Sequence, residues 1–375
     1  MLDNRTTIEM CYDYMKKHNT TWNYGEFQKK DYIEHPRTTV FSQAQECRPF
    51  SLGKLYEYLA PPYFQAPAFE NGTMIDLSIQ FLELIEIQRT LGTENDKPKL
   101  IAEFWAGGPS TTATPGHWQS ISLNIIRRRC YDNDDALKLL FAVSAATYDA
   151  GIAAWQNKRL YNSVRPVIYI PTQFMNRTFS NQYVGMYCSF QDIEGWQWTP
   201  YQEDHVMTPE FQEYISGHST FSRAASYVLE KFTGSPNVPG NLSATIKAGQ
   251  SLFQPRCNQS SSCYKKCRSN TLQDSENNYI PKVDVTLGPW KTYRDIADEA
   301  SMSRIYGGIH VRSGDIQGRL VGQKVGETVW LKVSALFNDT MPPSGNNGKR
   351  LDFQALVYII VLFSYSFYYL YEKNI

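Results

Sequence analysis

The sequence predicts a mostly helical protein whose helices are joined by long ordered loops. Four segments keep apolar residues at the spacing of one buried helix face, namely 74–91, 132–158, the stretch that follows Ser219, and 294–315. Glycines and prolines punctuate the sequence between them, and the aromatic stretch 169–208 is expected to be an ordered insertion. Of the 375 residues, 42% are apolar and 14% are aromatic, so the chain can bury a large core.

The charged residues exclude partners that are recognised through an overall electric field. Lysine plus arginine and aspartate plus glutamate both number 37, so the formal net charge is zero. Nucleic acids and anionic membrane surfaces attract strongly basic faces. We therefore expect no nucleic-acid partner, and any anion must be bound by a local cluster of cations.

The N-terminal residues 1–73 are expected to wrap irregularly around the helices. They keep no sustained period, and Pro61, Pro62 and Pro67 interrupt any helix there. Residues 74–91 then form a dense apolar helix with only a narrow polar side. Such a helix belongs inside a bundle.

The glycines and prolines between Glu103 and Trp118 predict a loop that opens a helix near His117. This loop is either a plain connection between helices or the wall of a pocket. Its aromatic residues and His117 are unusual in a plain connection. The sequence alone leaves both interpretations open.

Two cations lie close to the end of the clearest helix, 132–158. Lys158 continues the apolar stripe of that helix, and Arg165 follows seven positions later, before the turn at Pro166. Lysines at such positions often extend the ammonium group to water, which would explain Lys158 without a ligand. Two cations held close together nevertheless repel each other unless an anion sits between them. The spacing therefore indicates an anion site at this helix end.

A further helix is predicted over 294–315, about six turns long. Arg304 falls inside its apolar stripe, where a guanidinium group needs a buried anion. His310 lies near the same line, and Gly307 and Gly308 remove bulk where another group could approach the backbone. A core helix with one paired arginine and one hydrogen-bonded histidine would give the same pattern.

The third group of residues, Ser216, Gly217 and His218, stands at the start of a helix. Free N–H groups, the positive end of the helix dipole and a glycine that allows close approach suit this position to an oxyanion. His218 alone could be a simple capping residue. Combined with the three cations and His310, the set suits a tetrahedral or trigonal-bipyramidal oxyanion, with one histidine bonding the central atom and the other moving a proton.

Three sequence fragments, in this order, resemble a known signature. KxxxxxxRP at 158–166, SGH at 216–218 and SRxxxxxH at 303–310 are similar to the signature of the type 2 phosphatidic acid phosphatase and vanadium-dependent haloperoxidase superfamily. The fragments EFWAGGP, PGHW and EYISGHSTFS resemble its soluble haloperoxidase-like branch in particular. The similarity runs from about residue 74 to residue 337, which is most of the chain.

This resemblance implies an all-α fold of packed helical bundles over 74–340, of the phosphatidic acid phosphatase/vanadium haloperoxidase type, whose helix ends hold vanadate or phosphate. It implies that His310 is the axial ligand of the metal, vanadium, and that His218 is the acid–base group. By position, the residues that would bind the oxygens of the anion are Lys158, Arg165, Ser216, Gly217 and Arg304.

Three functions are compatible with the resemblance. The first is a peroxidase that uses vanadate and hydrogen peroxide to oxidise a halide, which can then react with a small organic substrate. The second is an acid phosphatase-type phosphomonoester hydrolase, in which His310 forms a phospho-histidine and His218 protonates the leaving group. The third is a surface glycoprotein that keeps the fold without chemistry. Both histidines argue against the third, and the polar body argues against the multi-helix membrane phosphatases.

The sequence departs from the family signature at two positions. Ile215 replaces the proline that usually precedes SGH, which should make the loop less rigid. The carboxylate that usually follows the second histidine as HxxxD stands one residue later, at Asp315. We expect Asp315 to act in catalysis by orienting His310, provided that Gly314 ends the helix. An ordinary surface pair between Arg312 and Asp315 is the alternative.

The uncharged run 355–371 predicts a C-terminal membrane anchor behind a flexible spacer at 341–354. As a helix it would be about 26 Å long, close to the thickness of a bilayer core. A GPI-attachment signal and a buried terminal helix are the alternatives. In the loop at 257–267, Cys257, Cys263 and Cys267 favour a disulfide over a zinc site.

The glycosylation pattern indicates a secretory route. Seven Asn-x-Ser/Thr sequons begin at Asn4, Asn19, Asn71, Asn176, Asn241, Asn258 and Asn338. They predict an extracellular or lumenal body, although no apolar signal segment begins the sequence. We interpret the N-terminus as incomplete; the alternative is a cytosolic protein with accidental sequons.

Overall fold

The predicted all-α class is confirmed for the residues that the computed structural model describes, which are 47–93, 96–108, 111–185, 190–203, 208–255 and 279–338. Helices account for most of their regular structure. In chain order, the α-helices are α1 (Leu77–Leu91), α2 (Lys97–Phe104), α3 (Ala113–Arg129), α4 (Asn133–Tyr161), α5 (Pro166–Gln173), α6 (Gly217–Thr233), α7 (Tyr293–Tyr306) and α8 (Arg312–Phe337).

Two small antiparallel two-stranded sheets lie between the helices, the first of them inside the predicted insertion 169–208. Strand β1 (Thr178–Tyr183) pairs with β2 (Phe190–Glu194), and β3 (Asn237–Ile246) pairs with β4 (Val285–Thr292). Isolated two-stranded hairpins are marginally stable, so each depends on packing against helices. Phe179 and Ile193, which face each other across the first hairpin, are buried in one cluster with residues of α1.

Helix α6 lies at the centre of the bundle and packs against α4, α7 and α8. Helix α8 approaches it along a row of glycines at every fourth position, Gly314, Gly318, Gly322 and Gly326. A Cβ atom on Gly318 would lie 2.7 Å from the carbonyl oxygen of Ser216, and one on Gly326 would lie 3.0 Å from that of Ala224. We call these four residues the glycine row. They let the backbone of α8 contact the first turns of α6 directly.

Helix α4 begins and ends close to the predicted limits of 132 and 158. Asp132 caps it by accepting the N–H of Asp135 at 2.9 Å, and the helix continues to Tyr161, so that Lys158 lies in its last turn. In its middle, the buried Asp149 accepts the N–H groups of Phe50 and Ser51 at 2.7 and 2.8 Å. These bonds fasten the described part of the N-terminal segment to the bundle.

The prediction of one continuous helix over 294–315 is wrong. Helix α7 ends at Tyr306, and Gly308 adopts a left-handed conformation with φ of +69°. Two adjacent glycines weaken a helix, and a left-handed residue ends it. Helix α8 begins only at Arg312. His310 therefore lies in the link between two helices, where the backbone can place it independently of Arg304.

One apolar helical stretch among the described residues, 133–173, is long enough to cross a membrane, with a hydropathy of 1.3. Of its most apolar window, 72% is buried inside the protein. Core helices meet the same criteria, so this is weak evidence for a membrane span. The predicted spacer at 341–354, the anchor at 355–371 and the cysteine loop at 257–267 lie outside the described residues.

Candidate active site

Three buried cations come from three different elements of the bundle. Lys158 lies in the last turn of α4, Arg165 directly precedes α5, and Arg304 lies in the last turn of α7. Their exposed fractions are 0%, 0% and 1%. Charged side chains are rarely buried to this extent without an anion or several hydrogen bonds.

Backbone carbonyl groups hold these cations in place. Lys158 Nζ donates to the carbonyl oxygens of Gln212 at 2.7 Å and Glu213 at 3.1 Å. Arg165 Nε donates to that of Phe211 at 2.7 Å, and the ring of Phe211 lies 4.9 and 5.0 Å from the charged groups of Lys158 and Arg165. Carbonyl dipoles orient a cation without cancelling its charge. Burial, followed by repulsion from Arg165, accordingly lowers the pKa of Lys158 well below its usual range.

The start of α6 faces the same region. Ser216 is the N-cap residue and Gly217 the first residue of the helix. The backbone N–H of Ser216 donates to the carbonyl oxygen of Gly314 at 2.9 Å, which ties this turn to α8. N–H groups of a first helical turn have no acceptor within the helix, and together with the helix dipole they favour an anion.

His310 is held in one tautomer by two contacts. Its Nδ1 atom lies 2.9 Å from Oε1 of Glu213, and its Nε2 atom lies 3.2 Å from Nη1 of Arg165. A guanidinium group only donates, so Nε2 must accept, and Nδ1 carries the proton that is donated to Glu213. Burial, followed by the charges of Arg165 and Lys158, lowers the pKa of His310 well below its usual range. At neutral pH, the ring is uncharged and has its lone pair at Nε2.

His218 presents the opposite tautomer. Its Nε2 atom lies 2.8 Å from the carbonyl oxygen of Trp105, which also accepts from Nη1 of Arg304 at 3.2 Å. Because a carbonyl oxygen only accepts, Nε2 carries the proton and Nδ1 has the lone pair. Burial, followed by the charge of Arg304, lowers the pKa of His218 well below its usual range. His218 is therefore a neutral base at physiological pH.

The loop between Glu103 and Trp118 is a wall of this site, as one of the two interpretations of the sequence proposed. Trp105 supplies the carbonyl oxygen shared by His218 and Arg304. His117 stacks on the indole ring of Trp105, with centroids 4.3 Å apart, and burial lowers its pKa to about 4. The helix that follows begins at Ala113, four residues earlier than expected.

A family model of the VCPO second helical-bundle domain matches residues 138–339, more than half of the chain. This range contains all three cations, both histidines and the start of α6. The chain belongs to this vanadium haloperoxidase-like family. No curated protein matches this haloperoxidase-like chain in a search of complete sequences.

Solved structures show the same fold. A holo-type bacterial vanadium-dependent chloroperoxidase matches 79% of this chain with a TM-score of 0.61 and 19% identity. A bacterial vanadium-dependent iodoperoxidase matches 82% of it with a TM-score of 0.53 and 23% identity. The haloperoxidase-like chain covers only 55% and 65% of the lengths of these two proteins.

The structure contradicts the expectation that Asp315 orients His310. Asp315 Oδ1 accepts the hydroxyl of Ser219 at 2.6 Å, and Arg319 Nη2 donates to Asp315 Oδ2 at 2.8 Å. Because α7 ends before His310, Asp315 lies in the first turn of α8 and faces α6. The surface pair with Arg312 is also wrong, since Arg312 pairs with Glu83.

Sequence reasoning assigned no role to Glu213, which occupies the place expected for Asp315. The only available signal was its position three residues before Ser216, inside the fragment EYISGHSTFS. Residues 211–215 belong to no helix, so periodicity could not indicate where this side chain lies. The contact between Glu213 and His310 joins residues 97 positions apart.

The charges of the site fit an oxyanion. Among the described residues, the buried carboxylate of Glu213 interacts electrostatically with two of the three cations, Arg165 and Lys158. Burial raises the pKa of Glu213 to about 7, against the lowering effect of Arg165 and Lys158, so ionisation of this group balances the cations only in part. A bound oxyanion would offset the remaining charge.

Proposed function

We propose that this chain is a vanadium-dependent haloperoxidase-like enzyme, which uses hydrogen peroxide to oxidise a halide or a small organic substrate. One observation carries the proposal: three buried cations surround a neutral histidine, His310. The Nε2 atom of His310 lies 3.2 Å from Nη1 of one of these cations, Arg165. Membership of the family supports the choice of vanadate as the anion.

The residues that would hold vanadate are those that the family resemblance implies by position, and the burial of the three cations supports this choice. Lys158, Arg165 and Arg304 would neutralise its oxygens, with the hydroxyl of Ser216 and the N–H of Gly217 as further donors. His310 would bond the vanadium through Nε2. When bound, vanadate supplies a Lewis-acidic centre that activates hydrogen peroxide toward a halide.

His218 would move the proton. Its neutral ring has a lone pair at Nδ1, so it can accept a proton from hydrogen peroxide without first losing one. The charge that the ring gains is unfavourable beside Arg304, but an anion held by the three cations offsets this repulsion. The carbonyl oxygen of Trp105 keeps the ring oriented throughout.

Phosphomonoester hydrolysis is the second candidate, favoured by the lone pair of His310. In that reaction, Nε2 forms a bond to phosphorus, the ester P–O bond breaks, and His218 gives a proton to the leaving oxygen; water then cleaves the P–N bond. This reaction needs His218 to be protonated at the start. The burial of His218 and its proximity to Arg304 oppose that state in the protein without an anion. We rank the hydrolase second because the family model that matches is that of the VCPO second helical-bundle domain.

A paired assay on the full chain tests the proposal. One half follows peroxide-dependent halogenation of a phenolic dye with chloride, bromide or iodide after loading with orthovanadate. The other half follows phosphate release by vanadate-free protein. Halogenation that disappears in His310→Ala would support the peroxidase, whereas vanadate-inhibited phosphate release without halogenation would support the hydrolase. If the folded protein shows neither activity, the non-catalytic glycoprotein remains.

We also propose that 355–371 anchors the bundle to a membrane, with the spacer 341–354 between them and the body extracellular or lumenal. The sequon residues Asn71, Asn176 and Asn338 are exposed, as glycosylation requires. Membrane fractionation with and without 355–371, together with a mobility shift after glycosidase treatment, tests both statements. Soluble full-length protein without a shift would contradict them.

A further inference from the structure

A carboxylate without a role in the proposed chemistry lies directly behind His310. Glu213 has an exposed fraction of 0%, and its Oε1 atom lies 2.9 Å from Nδ1 of His310. The same oxygen accepts the backbone N–H of Val311 at 3.2 Å. One atom thus anchors both the imidazole ring and the backbone that follows it.

The surrounding chain holds Glu213 in place. Its carbonyl oxygen accepts from Lys158 at 3.1 Å, and its N–H donates to the carbonyl oxygen of Ser163 at 3.4 Å. Gly314 lies against the carboxylate, and a Cβ atom at that position would overlap Oε1. The first glycine of the glycine row therefore leaves the space that the carboxylate occupies.

We propose that Glu213 is the positioning residue of His310 and keeps its ring in the Nδ1–H tautomer, so that Nε2 carries the lone pair on the side of the ring where Arg165 lies. Arg165 supports this arrangement from the other side, with Nη1 at 3.2 Å from Nε2. An acceptor behind Nδ1 and a donor beside Nε2 together select one tautomer. A ligand histidine that donates its second N–H to a carboxylate gains a fixed orientation and greater basicity.

The competing role for Glu213 is that of a counter-charge to Lys158 and Arg165 alone. The two roles differ in the effect of an uncharged replacement. Glutamine keeps an acceptor oxygen for His310 but has no charge, whereas leucine has a similar volume and neither property. Because the two variants have the same charge, any difference between them reports the hydrogen bond.

Two measurements on the full chain compare Glu213→Gln with Glu213→Leu. Nitrogen–proton correlation spectra of isotope-labelled histidine, assigned with His310→Asn, report the tautomer of His310 without any anion. Equilibrium dialysis with orthovanadate reports affinity. We expect wild type and Glu213→Gln to keep the Nδ1–H tautomer alone. In Glu213→Leu only Arg165 still favours that tautomer, so we expect both tautomers to be populated and orthovanadate to bind about 10- to 100-fold more weakly than in Glu213→Gln.

The matched control is Asp149→Asn. Asp149 is a buried carboxylate in α4, away from His310, that accepts the backbone N–H groups of Phe50 and Ser51. The control should leave the His310 tautomer and orthovanadate affinity at their wild-type values. The inference is overturned if Glu213→Leu keeps the wild-type tautomer, or if Glu213→Gln loses it together with Glu213→Leu. The inference about Glu213 rests on the proposed function, but different results would contradict the inference and the function. Wild-type protein that does not bind orthovanadate removes the function, while the tautomer still decides the role of Glu213.

Discussion

The carbonyl oxygen of Trp105 lies 2.8 Å from Nε2 of His218 and so fixes which ring nitrogen can accept a proton. The loop that supplies this oxygen turns at Gly107, where φ is +60°. A Cβ atom on Gly107 would lie 3.2 Å from the same Nε2 atom. The orientation of the proposed base thus depends on a glycine outside the set of residues proposed to bind the anion.

Gly107→Ala should reduce halogenation strongly, because the new methyl group displaces His218. The left-handed backbone should also cost about 1 kcal/mol or more of unfolding free energy. The control is Gly72→Ala, whose φ is +86° and whose Cβ atom would have no neighbour within 4 Å. Steady-state rates and urea denaturation of both variants provide the test. Equal rate losses in the two variants would show that strain, rather than His218, is responsible.

Arg165→Gln should weaken orthovanadate binding at least 30-fold, since removing one member of a buried charge pair costs about 2–5 kcal/mol. The unliganded variant should lose the hydrogen bonds that Arg165 donates to the carbonyl oxygens of Phe211 and Ile309, and relief of the repulsion between Arg165 and Lys158 should offset part of that loss. Thermal unfolding with and without orthovanadate measures both effects. Arg223→Gln is the control, since Arg223 is a buried arginine that pairs with Asp298. A similar loss of binding in Arg223→Gln would contradict a local effect.

The free energy of unfolding should fall as the pH decreases from 6.5 to 5. Burial lowers the pKa of His218 and His310 well below 6.5, the usual value, which both histidines regain in the unfolded chain. The unfolded state therefore binds more protons in this range and is favoured by acid. Glu213 has the opposite effect, because its native pKa of about 7 lies above the usual 4.5, so its stabilising contribution is lost as the pH rises through 7.

Variants separate these contributions. His310→Asn should reduce the pH slope by up to about 1.4 kcal/mol per pH unit, which corresponds to one proton. Glu213→Gln should make the slope steeper between pH 5 and 6.5. Urea denaturation at half-unit intervals of pH measures each slope. Unchanged slopes in both variants would mean that these groups have ordinary pKa values in the native protein.

Gly318→Ala should destabilise the protein by about 1–3 kcal/mol, as overpacking does. Its Cβ atom would lie 2.7 Å from the carbonyl oxygen of Ser216, so the start of α6 must shift and orthovanadate should bind more weakly. Gly326→Ala is the control, because its Cβ atom would contact Ala224, two turns further along α6. It should lose stability but keep its affinity. Equal affinities for orthovanadate in the two variants would show that the contact of Gly318 with Ser216 does not affect the site.

The helices, and the three fragments whose cations and histidines the fold brings together, could be predicted because their signals are local. The apolar period located α4, and the position of Ser216 before an apolar stripe located the start of α6. Lys158 and Arg304 lie on apolar stripes of their helices, and Arg165 was singled out by its position seven residues after Lys158; all three are buried. In each case, the physical reason lies within about ten residues of the residue concerned.

The partners of these residues could not be predicted, because they depend on contacts between distant segments. Glu213 meets His310 only because α7 stops at two glycines and the chain then turns back toward α6. Asp315 was assigned to the wrong partner because a single continuous helix was assumed. The glycine row was visible as four glycines spaced by four, but this spacing does not say which helix will lie against it.

The glycine row also has a kinetic consequence. Ser216 is held against α8 by the bond from its N–H to the carbonyl oxygen of Gly314, so the proposed anion site is complete only after α8 has docked along α6. If α8 docks after the folding transition state, the transition state contains no site for an oxyanion in the refolding medium. We expect orthovanadate to slow unfolding while leaving the refolding rate unchanged. The bound anion would stabilise the folded protein without accelerating its folding.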